Sequence, residues 1–245
     1  LKNLYFRYAK NADDILRGLN LEIEEGKLHC LLGGNGSGKS TTLKAICEII
    51  KPQSGKVKIA DNCRAAMVPQ NPQALFTEIS CEEEVLEGLC YQKLEIEEKV
   101  QRTEDMLKLM EIEHLRKANP YDLSGGEQQR LALAKVMVSN PDILLLDEPT
   151  KGLDPFFKQT LGRILRSLCK ENKTIFMVSH DIEFCAEFGD RCSMFFDGEI
   201  ATSGSAKEFF SGNNFYTTVE NKLTRKWCEG IITGEEARTW IRSLL

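Results

Sequence analysis

Gly33-Gly34-Asn35-Gly36-Ser37-Gly38-Lys39-Ser40 fits the pattern G-x-x-x-x-G-K-[ST], and its reading decides the fold. Before it, Lys27–Leu32 is an apolar run of strand length; after it, Thr41, Thr42 and Leu43 open a helical pattern. Glycines let the backbone wrap so that successive N–H groups point inward, and a helix N-terminus adds positive potential. Asn35, Gly36, Ser37 and Gly38, with Thr41 and Thr42 behind them, can therefore cradle phosphates. Lys39 would reach the outer phosphates, and the Ser40 hydroxyl would ligate Mg²⁺. The plain alternative is an ordinary glycine-rich turn, against which the flanking strand and helix argue. By itself the loop says nucleoside triphosphatase or kinase.

Outward from the loop, strand-length apolar runs alternate with helical patterns. Strands are expected at Lys56–Ala60, Ala65–Val68, Ile143–Leu146, Thr174–Val178, Ser193–Phe196 and Glu199–Thr202. Helices are expected to start at Gly38, near Glu82, and at Glu95, Gly125, Pro155, Asp181 and Ser205. Such alternation predicts an α/β fold with a largely parallel sheet. Leu4–Tyr8 and Leu19–Ile23 alternate instead, which predicts an antiparallel N-terminal β flank. Residues 82–122 read as a polar helical insertion whose apolar face is Ile96, Val100, Leu107 and Met110. From Asn213 the texture changes again, with Phe215, Tyr216, Trp227 and Trp240 among mixed charges.

Two further stretches carry chemistry. Ile143-Leu144-Leu145-Leu146-Asp147-Glu148 is a buried strand ending in two carboxylates. Asp147 could anchor the metal and Glu148 polarise an attacking water, although a polar strand exit is the simpler reading of Asp-Glu-Pro. Leu123-Ser124-Gly125-Gly126-Glu127-Gln128-Gln129-Arg130 starts a helix with a good N-cap. Ser124 and Glu127 alone would make a capping box. Two glycines in the first helical turn are poor helix formers and suggest a second anion-binding helix start.

With these motifs the chain resembles the ATP-binding-cassette (ABC) ATPases over about residues 1–212. The resemblance rests on the phosphate loop, LSGGEQQR, LLLLDEP, Gln70 after a strand, Gly152-Leu153-Asp154, and His180 closing Thr174–Val178. It implies a P-loop NTPase core with a largely parallel sheet. It also implies a helical signature subdomain at about 82–136, while the changed texture at 213–245 reads as a small C-terminal extension. ATP and Mg²⁺ are the implied cofactors. By the resemblance, Tyr8 stacks on adenine, Gln70 contacts Mg²⁺ and the water, and His180 holds the γ-phosphate and orients Glu148. Ser124 and Gly126 reach the γ-phosphate bound at a second cassette, and Asp154 contacts that cassette's phosphate loop. Lys151 departs from the family, where a small residue is commoner.

A finer resemblance is to the ATPases of energy-coupling-factor (ECF) importers of vitamins and transition-metal ions. It is carried by Gln70-Asn71-Pro72-Gln73-Ala74-Leu75-Phe76, by DEPTKGLDP at Asp147–Pro155, and by Phe215-Tyr216-Thr217-Thr218. It implies integral membrane transporter subunits and a second ABC ATPase domain as partners, at the cytoplasmic face of the membrane. With Leu1 rather than Met at the start, it implies the second cassette of a tandem protein. Leu75 and Phe76 are expected to line a groove for a helix of the membrane subunit, or else to plug the insertion onto the core.

Composition bounds these readings. Among 245 residues, 32 basic and 37 acidic side chains leave a net charge of −5, which argues against a nucleic-acid partner. No apolar run approaches the roughly 18 residues of a membrane helix. Nine cysteines without a Cys-x-x-Cys pair read as reduced thiols, and three histidines make a zinc site improbable. The alternative function is a soluble ABC ATPase acting on ribosomes or DNA as an ATP-gated clamp, for which the charge and the short insertion are unfavourable.

Overall fold

The computed structural model describes residues 1–212 and 216–244. Strands β1 (Lys2–Phe6) and β2 (Leu16–Leu19) pair antiparallel, and β1 also pairs antiparallel with β4. Between them in sequence lie β3 (Leu28–Gly33) and α1 (Lys39–Ile46); β4 is Ser54–Lys56 and β5 is Ala65–Val68. A helical subdomain follows, with α2 (Cys81–Glu87), α3 (Ile96–Leu109) and α4 (Gly125–Met137). The chain then alternates: β6 (Ile143–Asp147), α5 (Pro155–Lys170), β7 (Thr174–Val178), α6 (Ile182–Phe188), β8 (Arg191–Phe196) and β9 (Glu199–Ser205). Among the described residues three helices follow: α7 (Ala206–Gly212), α8 (Val219–Thr224) and α9 (Gly234–Ser243).

Among the described residues the main sheet has six strands in the order β5-β6-β7-β3-β8-β9, parallel except for β8–β9. Side chains alternate across a strand, so each central strand feeds two cores. Cys30 and Leu32, Leu144 and Leu146, and Ile175 and Met177 face α4 and α5. Leu31, Leu145, Phe176 and Val178 face α1 and the small antiparallel sheet, where Leu4, Leu16 and Leu19 meet them. Burial on both faces is why these strands read as unbroken apolar runs. The predicted α/β class, antiparallel flank and helical insertion are all present.

Several expected boundaries shift. The strand predicted at Lys56–Ala60 lies at Ser54–Lys56 instead. Its pairing with β1 ends at Lys2↔Lys56, so the alternating residues beyond have no strand beside them. Strand β2 likewise stops at Leu19 rather than running to Ile23. On α3, Leu107 is buried and Met110 lies buried just past the helix end, but Ile96 and Val100 are exposed. Periodicity sets which face of a helix is apolar, not how far its neighbours reach along it. Of the C-terminal stretch, Phe215 lies outside the described residues; Thr217 and Thr218 are buried, and Thr218 caps α8.

Candidate functional site

Strands β5, β6, β7 and β3 are adjacent and parallel, so the segments after their C-terminal ends share one edge of the sheet. Those segments carry Gln70, Asp147 with Glu148, His180, and the phosphate loop. The order reverses at β3, which runs between β7 and β8; such a switch point is where open α/β sheets bind ligands.

Lys39 opens α1 and is buried. Its Nζ donates to the carbonyls of Gly33 (2.8 Å) and Gly34 (2.7 Å) and stands 3.4 Å from His180 Nε2. Burial holds its ammonium below the usual lysine range, and Glu148 and Asp147 oppose that shift. The loop closes tightly at Gly38, whose φ of 117° suits glycine; a Cβ there would stand 2.8 Å from Ile15 Cγ2. Asn35 and Gly36 are exposed, and the Ser37 hydroxyl is buried without a hydrogen-bond partner among the described residues. Thr42 Oγ1 donates to Gly38 O at 3.2 Å. Beside the loop, the Tyr8 ring packs edge-on against Phe6, and its hydroxyl lies 3.3 Å from Thr41 Oγ1. Tyr8 is 59% exposed, which leaves it open to a planar ligand.

Asp147 ends β6 and Glu148 follows it. Burial raises the Asp147 carboxyl above its ordinary range, while a hydrogen bond from Ser40 and the charge of Lys39 oppose it. Asp147 Oδ1 is buried with no hydrogen-bond partner among the described residues. A buried orphan oxygen needs a partner, and the Ser40 hydroxyl beside Asp147 is a hard oxygen donor of the kind Mg²⁺ takes. The residues therefore fit that metal. Glu148 adopts φ 54°, an uncommon backbone for a side chain of its size, held by its N–H to Val178 O at 2.9 Å. That turn brings its carboxylate back to His180, whose main-chain N–H donates to Oε2 at 3.1 Å. Burial raises Glu148 as well, and it lowers His180 together with the charge of Lys39.

The signature forms a separate cavity of about 590 Å³, and no phosphate-loop residue lines it. Ser124 caps α4 in a complete capping box, its N–H (2.8 Å) and hydroxyl (2.6 Å) both donating to Glu127 Oε2. Ser124 thereby holds the Glu127 carboxyl below its usual range. A Cβ on Gly126 would stand 2.8 Å from Gly152 O, whereas one on Gly125 would meet open space. Asp154 accepts the N–H groups of Phe156 and Phe157, each at 3.0 Å, and pairs with Arg130 at 2.6 Å. The Arg130 guanidinium also lies 3.7 Å over the Phe157 ring and 3.2 Å from Glu111. Sequence reading did not single out Arg130, Glu111 or His114, all of which line this cavity. Arg130 stands inside LSGGEQQR, but its partner Asp154 is far off in sequence. Exposed Lys151 closes the turn after Glu148, its own main-chain N–H donating to Glu148 O at 3.1 Å.

The sequence pattern defining the family described as "ABC transporter" matches residues 16–151, more than half of the chain. This chain belongs to the ABC transporter ATPase family. A putative ABC transporter ATP-binding protein of Bacillus cereus is 42% identical over 246 residues, covering 96% of this chain and 44% of that protein. The chain thus spans about half the length of the first curated relatives it matches. An energy-coupling factor transporter ATP-binding protein, EcfA1 of Ligilactobacillus salivarius, is 33% identical, covering 98% of this ABC ATPase and 94% of the relative. Among solved structures, an ATP-binding cassette captured as a post-hydrolysis dimer with ADP and Pi superposes with a TM-score of 0.76. It is 30% identical, covering 85% of this chain and 98% of that one.

Proposed function

We propose that this chain is the ATP-hydrolysing subunit of an ECF-like importer of a vitamin or transition-metal ion, acting with Mg²⁺ at the cytoplasmic face of the membrane. No described helix is long and apolar enough to cross a bilayer; in this reading integral membrane subunits form the transport path. The observation that carries the reading is a site in two halves. Lys39, Ser40, Asp147, Glu148 and His180 converge at one sheet edge, while Ser124 and Gly126 line a cavity apart from them. A second ABC ATPase domain then completes each site.

In this reading Tyr8 stacks on adenine, and Asn35, Gly36, Ser37, Gly38, Thr41 and Thr42 surround the phosphates. Lys39 neutralises the outer phosphates. Ser40, Asp147 and Gln70 hold Mg²⁺, which supplies electrostatic stabilisation of phosphate charge. Glu148 takes the proton of the attacking water, and His180 holds the γ-phosphate. Ser124 and Gly126 of the second cassette cap that phosphate, and its Asp154 meets this chain's phosphate loop. Closure of the pair pulls on the membrane subunits. The test is purification of the whole polypeptide from membranes, followed by ATP-dependent uptake of candidate vitamins and metal ions in vesicles. Co-purification with integral membrane proteins and coupled uptake are expected; recovery on ribosomes alone would overturn the reading.

A further inference from the structure

One buried ion pair takes no part in the site as described. Glu84 on α2 is wholly buried and Lys135 on α4 is 8% exposed, with Nζ and Oε2 2.5 Å apart. Two charges withdrawn from water are weak evidence for stability, because an apolar pair of similar volume often serves as well. What the pair holds is main chain. Glu84 Oε1 accepts the N–H groups of Thr77 (2.5 Å) and Glu78 (2.6 Å). Lys135 Nζ donates to Leu75 O at 2.6 Å and lies 3.1 Å from Glu87 Oε2. The same segment is tied twice more: Gln73 Nε2 donates to Gln128 Oε1, and the Tyr121 hydroxyl to Phe76 O, both at 3.2 Å.

All these partners lie on α2, on α4 or in the 3-10 turn Pro120–Asp122 just before α4; none is on the main sheet. The segment nevertheless leaves that sheet only a few residues earlier, where Val68 is in register with Leu146. Gln70 therefore stands on a short span between the sheet that bears Asp147 and the helix that begins at the signature.

We infer that Glu84 and Lys135 are positioning residues for ATP hydrolysis: they fasten the segment behind Gln70 to the signature helix. Gln70, Ser124 and Gly126 then move as one unit against the sheet that carries Asp147 and Glu148. The inference rests on the proposed roles of Gln70 and the signature. Lys135 is about 16 Å along α4 from Ser124, so replacing it does not touch the signature directly.

The test combines turnover with hydrogen exchange on the whole protein. Lys135→Met should leave ATP affinity without Mg²⁺ and KM unchanged while kcat falls roughly tenfold, and Lys135→Arg should recover most of that loss. In a Gln70→Ala background, Lys135→Met should cost nothing further. Equal losses in both backgrounds, or a lowered Tm with unchanged kcat, would overturn the inference. If Gln70→Ala turns over like the parent, the assignment of Gln70 fails, and exchange judges the clamp separately. Thr77 and Glu78 amides should be as protected as those of α4 and exchange at least roughly tenfold faster in Lys135→Met, with β5 unchanged. Unprotected amides there in the parent would refute the clamp. Should Lys135→Met not fold, Glu84→Gln carries the same comparisons.

Discussion

His180 meets both carboxylate oxygens of Glu148: its main-chain N–H donates to Oε2 at 3.1 Å, and its Nε2 stands 3.2 Å from Oε1. The two contacts differ in kind. Nε2 is also 3.4 Å from Lys39 Nζ, and one ring nitrogen cannot accept from lysine while donating to glutamate. Burial and Lys39 keep the imidazole below its usual pKa, favouring the neutral ring. The main-chain donor holds Glu148 whichever tautomer is present.

Glu148→Gln should therefore keep its place, because the amide oxygen still accepts the His180 N–H. Only the ability to take a proton is lost. ATP binding should persist while turnover falls by on the order of 10²–10⁴, the usual worth of a positioned general base. Equilibrium nucleotide binding beside single-turnover phosphate release checks both halves; near-parental turnover would mean another group activates the water.

The two signature glycines should respond differently. Gly126→Ala forces a methyl against the Gly152 carbonyl, and that oxygen is main chain and cannot swing aside. It should push the Lys151–Asp154 turn away and weaken ATP-driven pairing of cassettes. Gly125→Ala faces open space within one chain, so the free protein should fold normally. Thermal melts separate the variants before ATP is added. Size-exclusion chromatography of each in a Glu148→Gln background, with ATP and its cassette partner, then reads the pairing. A Gly126→Ala protein with parental Tm and parental pairing would contradict the contact.

Much of the fold was legible because its strands are buried on both faces, so Ile143–Asp147 and Thr174–Val178 read as apolar runs of the right length. The placing of several residues at the sheet edge was legible too: Asp147 ends β6, His180 comes two residues after β7, and the glycine-rich loop leaves β3 for Lys39 and Ser40 on α1. Contacts between distant segments were not. Nothing near Arg130 in sequence points to Asp154, and nothing in the helical face of α3 says that its first half stays exposed. Leu75 and Phe76 show the same limit. An apolar pair after a proline fits a docking groove and a core plug equally well, and only packing separates them. Phe76 is buried, edge-on to Tyr121 at 6.1 Å, and Leu75 packs partly against the same core. The expected groove lining is corrected to a plug, at least for Phe76.

Phe76→Ala should accordingly act on stability. Removing a buried phenylalanine leaves a cavity that costs about 3–5 kcal/mol, which a denaturant melt of the free chain will show. A melt unchanged within about 1 kcal/mol would return Phe76 to the surface role.

His29 makes the fold sensitive to mild acid. It lies on the central strand β3, buried, with Nε2 2.7 Å from Ser193 Oγ, and its Nδ1 is buried without a hydrogen-bond partner among the described residues. A protonated ring would need two acceptors there. Burial first, and the charge of Arg191 second, lower its pKa from 6.5 to about 4. A depressed pKa gives stability that is present above the unfolded value and lost as pH falls. Above pH 6.5 both states are neutral and His29 contributes no slope. Between 6.5 and about 4 the unfolded chain binds a proton that the folded chain refuses, so stability declines. Linkage puts this loss at about 2 kcal/mol by pH 5 and about 3 kcal/mol where it levels off. Urea unfolding at pH 7 and pH 5 measures it, and His29→Gln should shrink the difference between the two by about 2 kcal/mol. An equal difference in parent and variant would show that the ring is not held neutral, and that another group sets the acid limit.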